Sequence, residues 1–319
     1  MSCRMTDKTM KGVDPYYNSL YAQTHGKELY GTSSIAFLPE VVQAFVHYAQ
    51  DCRLTLDDKV RVLDYGCGRS ILLDVFAKVV NDNRDVIRTH LADFSRMDTI
   101  MADLAPALTE AMAGYDRDQY AELLQWDGGI IEKHRYDPAI PEYAAAPQGP
   151  YDFLICTDVY EHIPEFGGAN GKVPILRDAM RRVADLSANP FLNISTRLAM
   201  QILPDDTNAH CTLKTPAEWQ ELVLEDIPDA IPMLSRDFTS CHFVSGKPDA
   251  MFDPASEDSY RRYGEIDLIP WPPKRDMTAE KQAALLAVQD HKNDVRQRNA
   301  AWWEHESGRR IPSREFGIK

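Results

Sequence analysis

Lys59-Val60-Arg61-Val62-Leu63-Asp64-Tyr65-Gly66-Cys67-Gly68-Arg69-Ser70 decides the fold. Val60–Leu63 is a short, β-branched run that stops at an acid and a glycine turn, the form of a strand buried on both faces. ILLDVFAKVV (71–80) follows with apolar residues at helical spacing. Strand, glycine turn and helix in immediate succession define one βα unit. Glycine at 66 and 68 lets the backbone turn sharply and approach a ligand. A dinucleotide fingerprint would place a third glycine where Ile71 stands, and no P-loop Lys-Ser/Thr follows. A phosphate cradle is therefore disfavoured, as is a nicotinamide dehydrogenase. An acid ahead of the glycines suits a cationic cofactor carrying an amino group.

Working outward, Pro39–Ala49 (PEVVQAFVHYA) reads as an amphipathic helix. Residues 81–130 read as a helical insertion, and 130–137 as a strand ending in Asp137. Phe153-Leu154-Ile155-Cys156 within YDFLICTDVYEHIPE is a second buried strand, VPILRDAMRRVADLS an amphipathic helix, and FLNIST (191–196) a third strand. TPAEWQELVLE (215–225) opens with Thr-Pro and has Glu three residues after the Thr, a capping-box start. Residues 236–246 suggest closing strands. Beyond Pro248 a Pro-rich loop leads to a long polar helix from about 278 to 303, with Trp302-Trp303 expected to dock back on the core. Alternating strands and helices predict an α/β, doubly wound sheet with a helical insertion and a C-terminal helical extension. The expected organisation is an N-terminal segment over the pocket (1–35), a main domain (36–247) and the extension (248–319). In such sheets the ligand sits beyond the carboxyl ends of the strands at the topological switch point. Asp64, Asp137 and the Asp158–His162 segment would converge there.

Composition bounds the rest. The 319 residues are 44% hydrophobic and 26% charged, ordinary globular usage that excludes global disorder. No stretch approaches the roughly 18 apolar residues of a membrane span, and the N-terminus lacks an apolar signal region. A soluble, cytoplasmic chain with no membrane partner is the expectation. The net charge is −14; Trp271–Lys319 holds ten basic and seven acidic residues (+3), leaving −17 on residues 1–270. That balance argues against direct duplex nucleic-acid binding. The cysteines (Cys3, Cys52, Cys67, Cys156, Cys211, Cys241) form no C-x-x-C pair and are expected as free thiols, and the scattered histidines suggest no metal ligands.

The ordered motifs resemble the class I S-adenosylmethionine-dependent methyltransferases, with a Rossmann-like sheet. The likeness rests on VLDYGCGRS and on YDFLICTDVYEHIPE, where that family often shows D-V-x-E-H-I. More narrowly it resembles a bacterial and phage subgroup with Y-G-T-S-S (Tyr30–Ser34), Y-D-P-A-I-P (Tyr136–Pro141) and N-A-H (Asn208–His210) before a Pro–Glu–Trp helix start (Pro216–Trp219). The resemblance implies S-adenosyl-L-methionine as cofactor. Tyr30, Asp64, Tyr65, Gly66, Cys67, Gly68, Asp137, Pro138, Asp158 and Val159 would contact it. Asp64 would hold its ammonium and Asp137 its ribose, although Asp93 is the alternative ribose acid. The third family glycine is Ser70 here. Glu161 and His162 would sit at the mouth where substrate enters. His162, Glu161 and His210 are the candidate catalytic residues. For His162 a packed loop histidine, and for His210 a structural bond, stand as alternatives.

The chemistry implied is in-line attack of an acceptor O or N on the sulfonium methyl, where the protein contributes alignment and a dry site. No Pro-Cys nucleophile supports a cytosine C5 route, and Asn189-Pro190-Phe191 precedes its strand and reads as a turn. A small-molecule, sugar or nucleotide-like acceptor is expected. The alternatives are a phage or cell glycan, a nucleic-acid base reached with a partner, or a non-catalytic binding or assembly module. Oligomeric assembly is left open. Gly66→Asp is expected to abolish cofactor binding in a protein that still folds.

Overall fold

The computed structural model describes residues 32–91, 97–114, 117–167, 171–199, 208–233, 239–245, 294–299 and 301–302. Tyr30, Asp93, Trp303 and most of segments 1–35 and 248–319 lie outside them. Six strands form one sheet: β1 (Val60–Tyr65), β2 (Ile131–Tyr136), β3 (Phe153–Thr157), β4 (Pro190–Ser195), β5 (Ala230–Met233) and β6 (Ser240–Ser245), in the order β2-β1-β3-β4-β6-β5. β1 pairs in parallel with β2 and β3, and β3 with β4, whereas β6 runs antiparallel to both β4 and β5. The chain leaves β1 for β2 on one side and returns to β3 on the other, so the switch point lies between β1 and β3.

The period-2 rule distributes the strands between two cores. Val60, Val62, Phe153, Ile155 and Phe191 face one core, which holds α1 (Leu38–Asp51), α2 (Leu72–Asp82) and α4 (Met97–Met112). Leu63, Tyr65, Leu154, Cys156, Leu192 and Ile194 face the other, which holds α6 (Ile175–Leu186) and α7 (Pro216–Asp226). The sheet is thus covered on both sides, as its mostly parallel pairing requires. α1 departs from the amphipathic expectation. Twelve of its fourteen residues are buried, Glu40, His47 and Gln50 among them. It is enclosed because α4 packs against it from outside.

Residues 81–130 contain α3 (Arg84–His90), α4 and α5 (Arg117–Gln125), and the chain then enters β2. An ion cluster fastens β2 to α2. Asp74 of α2 is fully buried, accepts from Lys133 Nζ at 2.8 Å and pairs with the Arg135 guanidinium; both cations come from β2 and are largely buried themselves. Two cations on one carboxylate give a geometry that strand alternation dictates, since 133 and 135 share a face. At the other edge, β5 includes Pro232, which is tolerated there because an edge strand leaves one row of N–H groups unpaired. α7 begins with the expected capping box: Thr215 Oγ1 accepts from Glu218 N, and Glu218 Oε2 accepts from Thr215 N at 2.8 Å. Trp219, one turn on, is wholly buried. Trp302 docks on Phe243, with ring centroids 6.4 Å apart. Cys52, Cys67, Cys156, Cys211 and Cys241 are free thiols.

Candidate active site

The carboxyl ends of β1, β2, β3 and β4 meet at the switch point, and each delivers a polar residue. Asp64, the penultimate residue of β1, is 2% exposed, and its Oδ2 has no hydrogen-bond partner among the described residues. Burial pushes its carboxyl up to about 7 against the pull of Arg135, helped by Asp74 and Asp137. A buried carboxylate in that state gains from a cation. The turn that follows places Gly66 at φ +75° and Gly68 at φ +53°, the left-handed region that favours glycine. Gly66 also meets a close neighbour: a Cβ there would lie 2.4 Å from Val159 Cγ2. Val159 therefore seats directly on the Gly66 backbone and locks the turn after β1 to the loop after β3. An Asp side chain at 66 would strain the turn itself as well as enter the pocket.

Asp137 follows β2, the strand beside β1, so the acid at the end of the second strand is Asp137. Its Oδ2 accepts from Gly68 N at 2.9 Å and its Oδ1 from Ala139 N at 2.8 Å. The carboxylate thereby staples the glycine turn to the Pro138 turn. Ser70 fills the third glycine position with a use for its hydroxyl: Oγ accepts from Leu72 N at 3.0 Å, at the start of α2, and touches Ser34 Oγ at 2.5 Å. The Y-G-T-S-S segment thus ends against the turn. Tyr65 offers its backbone. Alternation turns its ring into the opposite core, against Tyr136 at 5.0 Å, so only its backbone is available at the turn. Cys67 is buried and its thiol is pushed well up, the opposite of a reactive cysteine.

After β3 the backbone enters an unusual conformation at Asp158, φ +53°, which is costly for a residue with a Cβ. Two bonds from β4 hold it there, Asp158 N to Asn193 O at 3.1 Å and Asn193 Nδ2 to Asp158 Oδ1 at 2.8 Å. The next turn buries Glu161 completely. Glu161 Oε1 accepts from Ser195 N at 2.9 Å, and burial with the neighbouring Asp158 raises its carboxyl well above the usual range. It lies beneath the surface and not at the mouth of the site.

The N-A-H segment closes onto this turn from 47 residues away. Asn208 behaves like a strand backbone: Oδ1 accepts from Ala199 N, Nδ2 donates to Ala199 O, and Oδ1 also takes His210 N. So pinned, the loop sends Ala209 O to His162 Nδ1 at 2.8 Å and Thr212 N to Glu161 O at 3.0 Å. His210 Nδ1 bonds Arg197 O at 2.5 Å, and the two imidazoles meet edge to face, 4.7 Å between centroids. Burial, with the nearby Arg197 cation, lowers His162 to about 4 and His210 to about 3. Both rings are neutral at pH 7. One ligand-capable atom each from Glu161, His162 and His210 lies within 4.8 Å of the others. Glu161 and His162 are adjacent in sequence, but His210 is joined to them only by the pinned loop, which sequence spacing could not reveal.

A sheet with this order and antiparallel last-paired strand, a glycine turn at the switch point and acids at the neighbouring strand ends is the frame of a nucleoside-cofactor enzyme. Comparison with protein families finds that residues 35–226 match the family model described as a methyltransferase domain. The chain belongs to this family and is an S-adenosyl-L-methionine-dependent methyltransferase. Among solved structures it is similar to the magnesium protoporphyrin IX methyltransferase of Synechocystis PCC 6803 with bound SAH. The identity is 16%, the alignment covers 72% of this chain and 97% of that one, and the TM-score is 0.31. A comparison with curated proteins finds no match. Among the described residues no helix is long and apolar enough to cross a membrane.

The cofactor fits the residues present. The orphaned Asp64 oxygen at the end of β1 suits its ammonium, and the positive-φ turn brings bare backbone to the same place. When bound, S-adenosyl-L-methionine supplies an activated methyl group.

Proposed function

We propose that this methyltransferase acts on an O or N atom of a small-molecule, sugar or nucleotide-like acceptor. In this reading Asp64 and the 66–68 turn hold the methionine end of the cofactor, and Asp137 stands at its ribose. Asp158 and Val159 line the pocket beside them. Glu161, His162 and His210 form the acceptor side. The observation that carries the reading is a compact polar group: the neutral imidazoles of buried His210 and half-buried His162 beside the buried Glu161 carboxyl. Such a group can orient a small polar nucleophile, and orientation is what methyl transfer chiefly needs. The net charge of −14 supports a small acceptor over a polyanionic duplex.

The test is methyl transfer from isotopically labelled S-adenosyl-L-methionine to panels of hydroxylated aromatics, nucleotide sugars, nucleosides and duplex DNA and RNA. Turnover on one of the small-molecule panels is expected. Turnover confined to the duplexes refutes the acceptor assignment.

A further inference from the structure

We propose that Glu161, His162 and His210 bind a divalent transition-metal ion, with positions left on the ion for an acceptor oxygen. Metal binding stands on the geometry alone; the acceptor's place on the ion rests on the function proposed above. Three separate observations carry it. The first is convergence: two imidazoles and a carboxylate bring one ligand-capable atom each to within 4.8 Å of one another. Metal–ligand bonds of about 2.0–2.2 Å place cis ligands roughly 3 Å apart, so a pair at the full 4.8 Å needs to close by nearly 2 Å. Side-chain torsions of a Glu and two His supply that movement.

The second is tautomer. His162 Nδ1 is engaged by Ala209 O and His210 Nδ1 by Arg197 O. A carbonyl only accepts, so both Nδ1 atoms carry the proton and both Nε2 atoms carry the lone pair. This is the orientation that backbone carbonyls give metal-binding histidines.

The third is the carboxyl. Glu161 is fully buried, Ser195 N holds Oε1 at 2.9 Å, and Oε2 has no hydrogen-bond partner among the described residues. Asp158, its neighbour, adds a second acidic group whose repulsion a cation relieves. Arg197 opposes, because both imidazoles feel its charge. Its guanidinium donates to Leu198 O, so part of its hydrogen-bonding capacity is spent on the backbone. Two imidazoles and one carboxylate select a borderline ion such as Zn²⁺, Co²⁺ or Mn²⁺ over Ca²⁺, which prefers all-oxygen sites. Three protein ligands leave the ion open to an outside oxygen, as catalytic sites of this type are.

The experiment uses the full chain, stripped with chelator and titrated with Co²⁺ while visible absorption is followed. One equivalent of Co²⁺ with d–d bands is expected. His210→Asn and Glu161→Gln should weaken it by about 100-fold or more, a larger loss than that caused by removing an outer partner. Each variant is checked for a cooperative thermal transition and for SAH binding, so that loss of metal is separated from loss of fold. A stripped chain that takes up no stoichiometric Co²⁺, Zn²⁺ or Mn²⁺ overturns the proposal, as does uptake unchanged in both variants. Stoichiometric metal in a chain that methylates only duplexes leaves the metal site standing and removes the small acceptor.

Discussion

Replacing Gly66 by Ala tests the join between the two loops that build the pocket. Two costs are legible. At φ +75° a residue with a Cβ pays about 1–2 kcal/mol in the left-handed region. The new methyl would also stand 2.4 Å from Val159 Cγ2 and 3.2 Å from Cγ1, well inside contact distance. A branched valine cannot swing both methyls clear, and overpacking of this kind costs roughly 1–3 kcal/mol. The single variant should therefore lose about 2–5 kcal/mol in urea unfolding. Val159→Ala removes both offending methyls, and its Cβ lies at a tolerable 3.4 Å. The double variant should recover the steric part, so the double-mutant cycle should show a favourable coupling of roughly 1–3 kcal/mol. Strict additivity would mean that Val159 does not rest on Gly66, and the locked-loop account would fall.

Asp64 links cofactor affinity to pH. Burial holds its free carboxyl near 7, and an ammonium beside it favours the ionised form. Binding then releases a proton below pH 7, so calorimetric Kd for S-adenosyl-L-methionine should rise up to about tenfold per unit from pH 7 to 5 and level off above 8. Asp64→Asn should bind weakly and without that slope; a wild-type Kd flat across the range contradicts the assignment. The same raised pKa means that the folded apo-protein binds more protons than the unfolded chain between about 4 and 7. Its Asp64 contribution to stability is accordingly present at low pH and lost as pH rises through 7. Asp74→Ala leaves Lys133 and Arg135 buried without their carboxylate and should cost about 3–5 kcal/mol by urea denaturation; a cost below about 1 kcal/mol means the cluster is solvated. Thr215→Ala removes a capping box and should cost about 1 kcal/mol, with methyl transfer unchanged. An unaltered unfolding midpoint would show that Trp219 packing alone starts α7.

The parts read correctly from sequence are those whose signal is local. β1, β3 and β4 announce themselves because strands buried on two faces carry short, near-continuous apolar runs, and α7 because a capping box is written within four residues. β5 escaped the reading: four residues containing Pro232 carry no strand signal, and only the edge position makes them one. Asp137 was legible as a strand-end acid, but its grip on Gly68 and Ala139 was not, since that depends on β2 lying beside β1. Tyr65 stands beside Asp64 in the motif, but periodicity in a strand sends its ring to the opposite face, against Tyr136. Glu161 and His162 were visible as a motif, whereas their meeting with His210 depends on Asn208 imitating a strand. Convergence across the β3–β4 junction is a property of topology, and no local spacing encodes it.

Asn299 donates its side-chain amide to Thr196 Oγ1 at 2.7 Å, across 103 residues of chain. Thr196 also donates to Thr239 O and is the immediate neighbour of Arg197, whose carbonyl holds His210. During synthesis every strand through β6 leaves the ribosome before residue 299 does. A nascent chain can therefore complete its sheet while the backbone around His210 still awaits its last tie. Assembly of the scaffold and tightening of the site are separate events in the life of the chain, and ribosome-arrested nascent chains of increasing length give a way to time the interval between them.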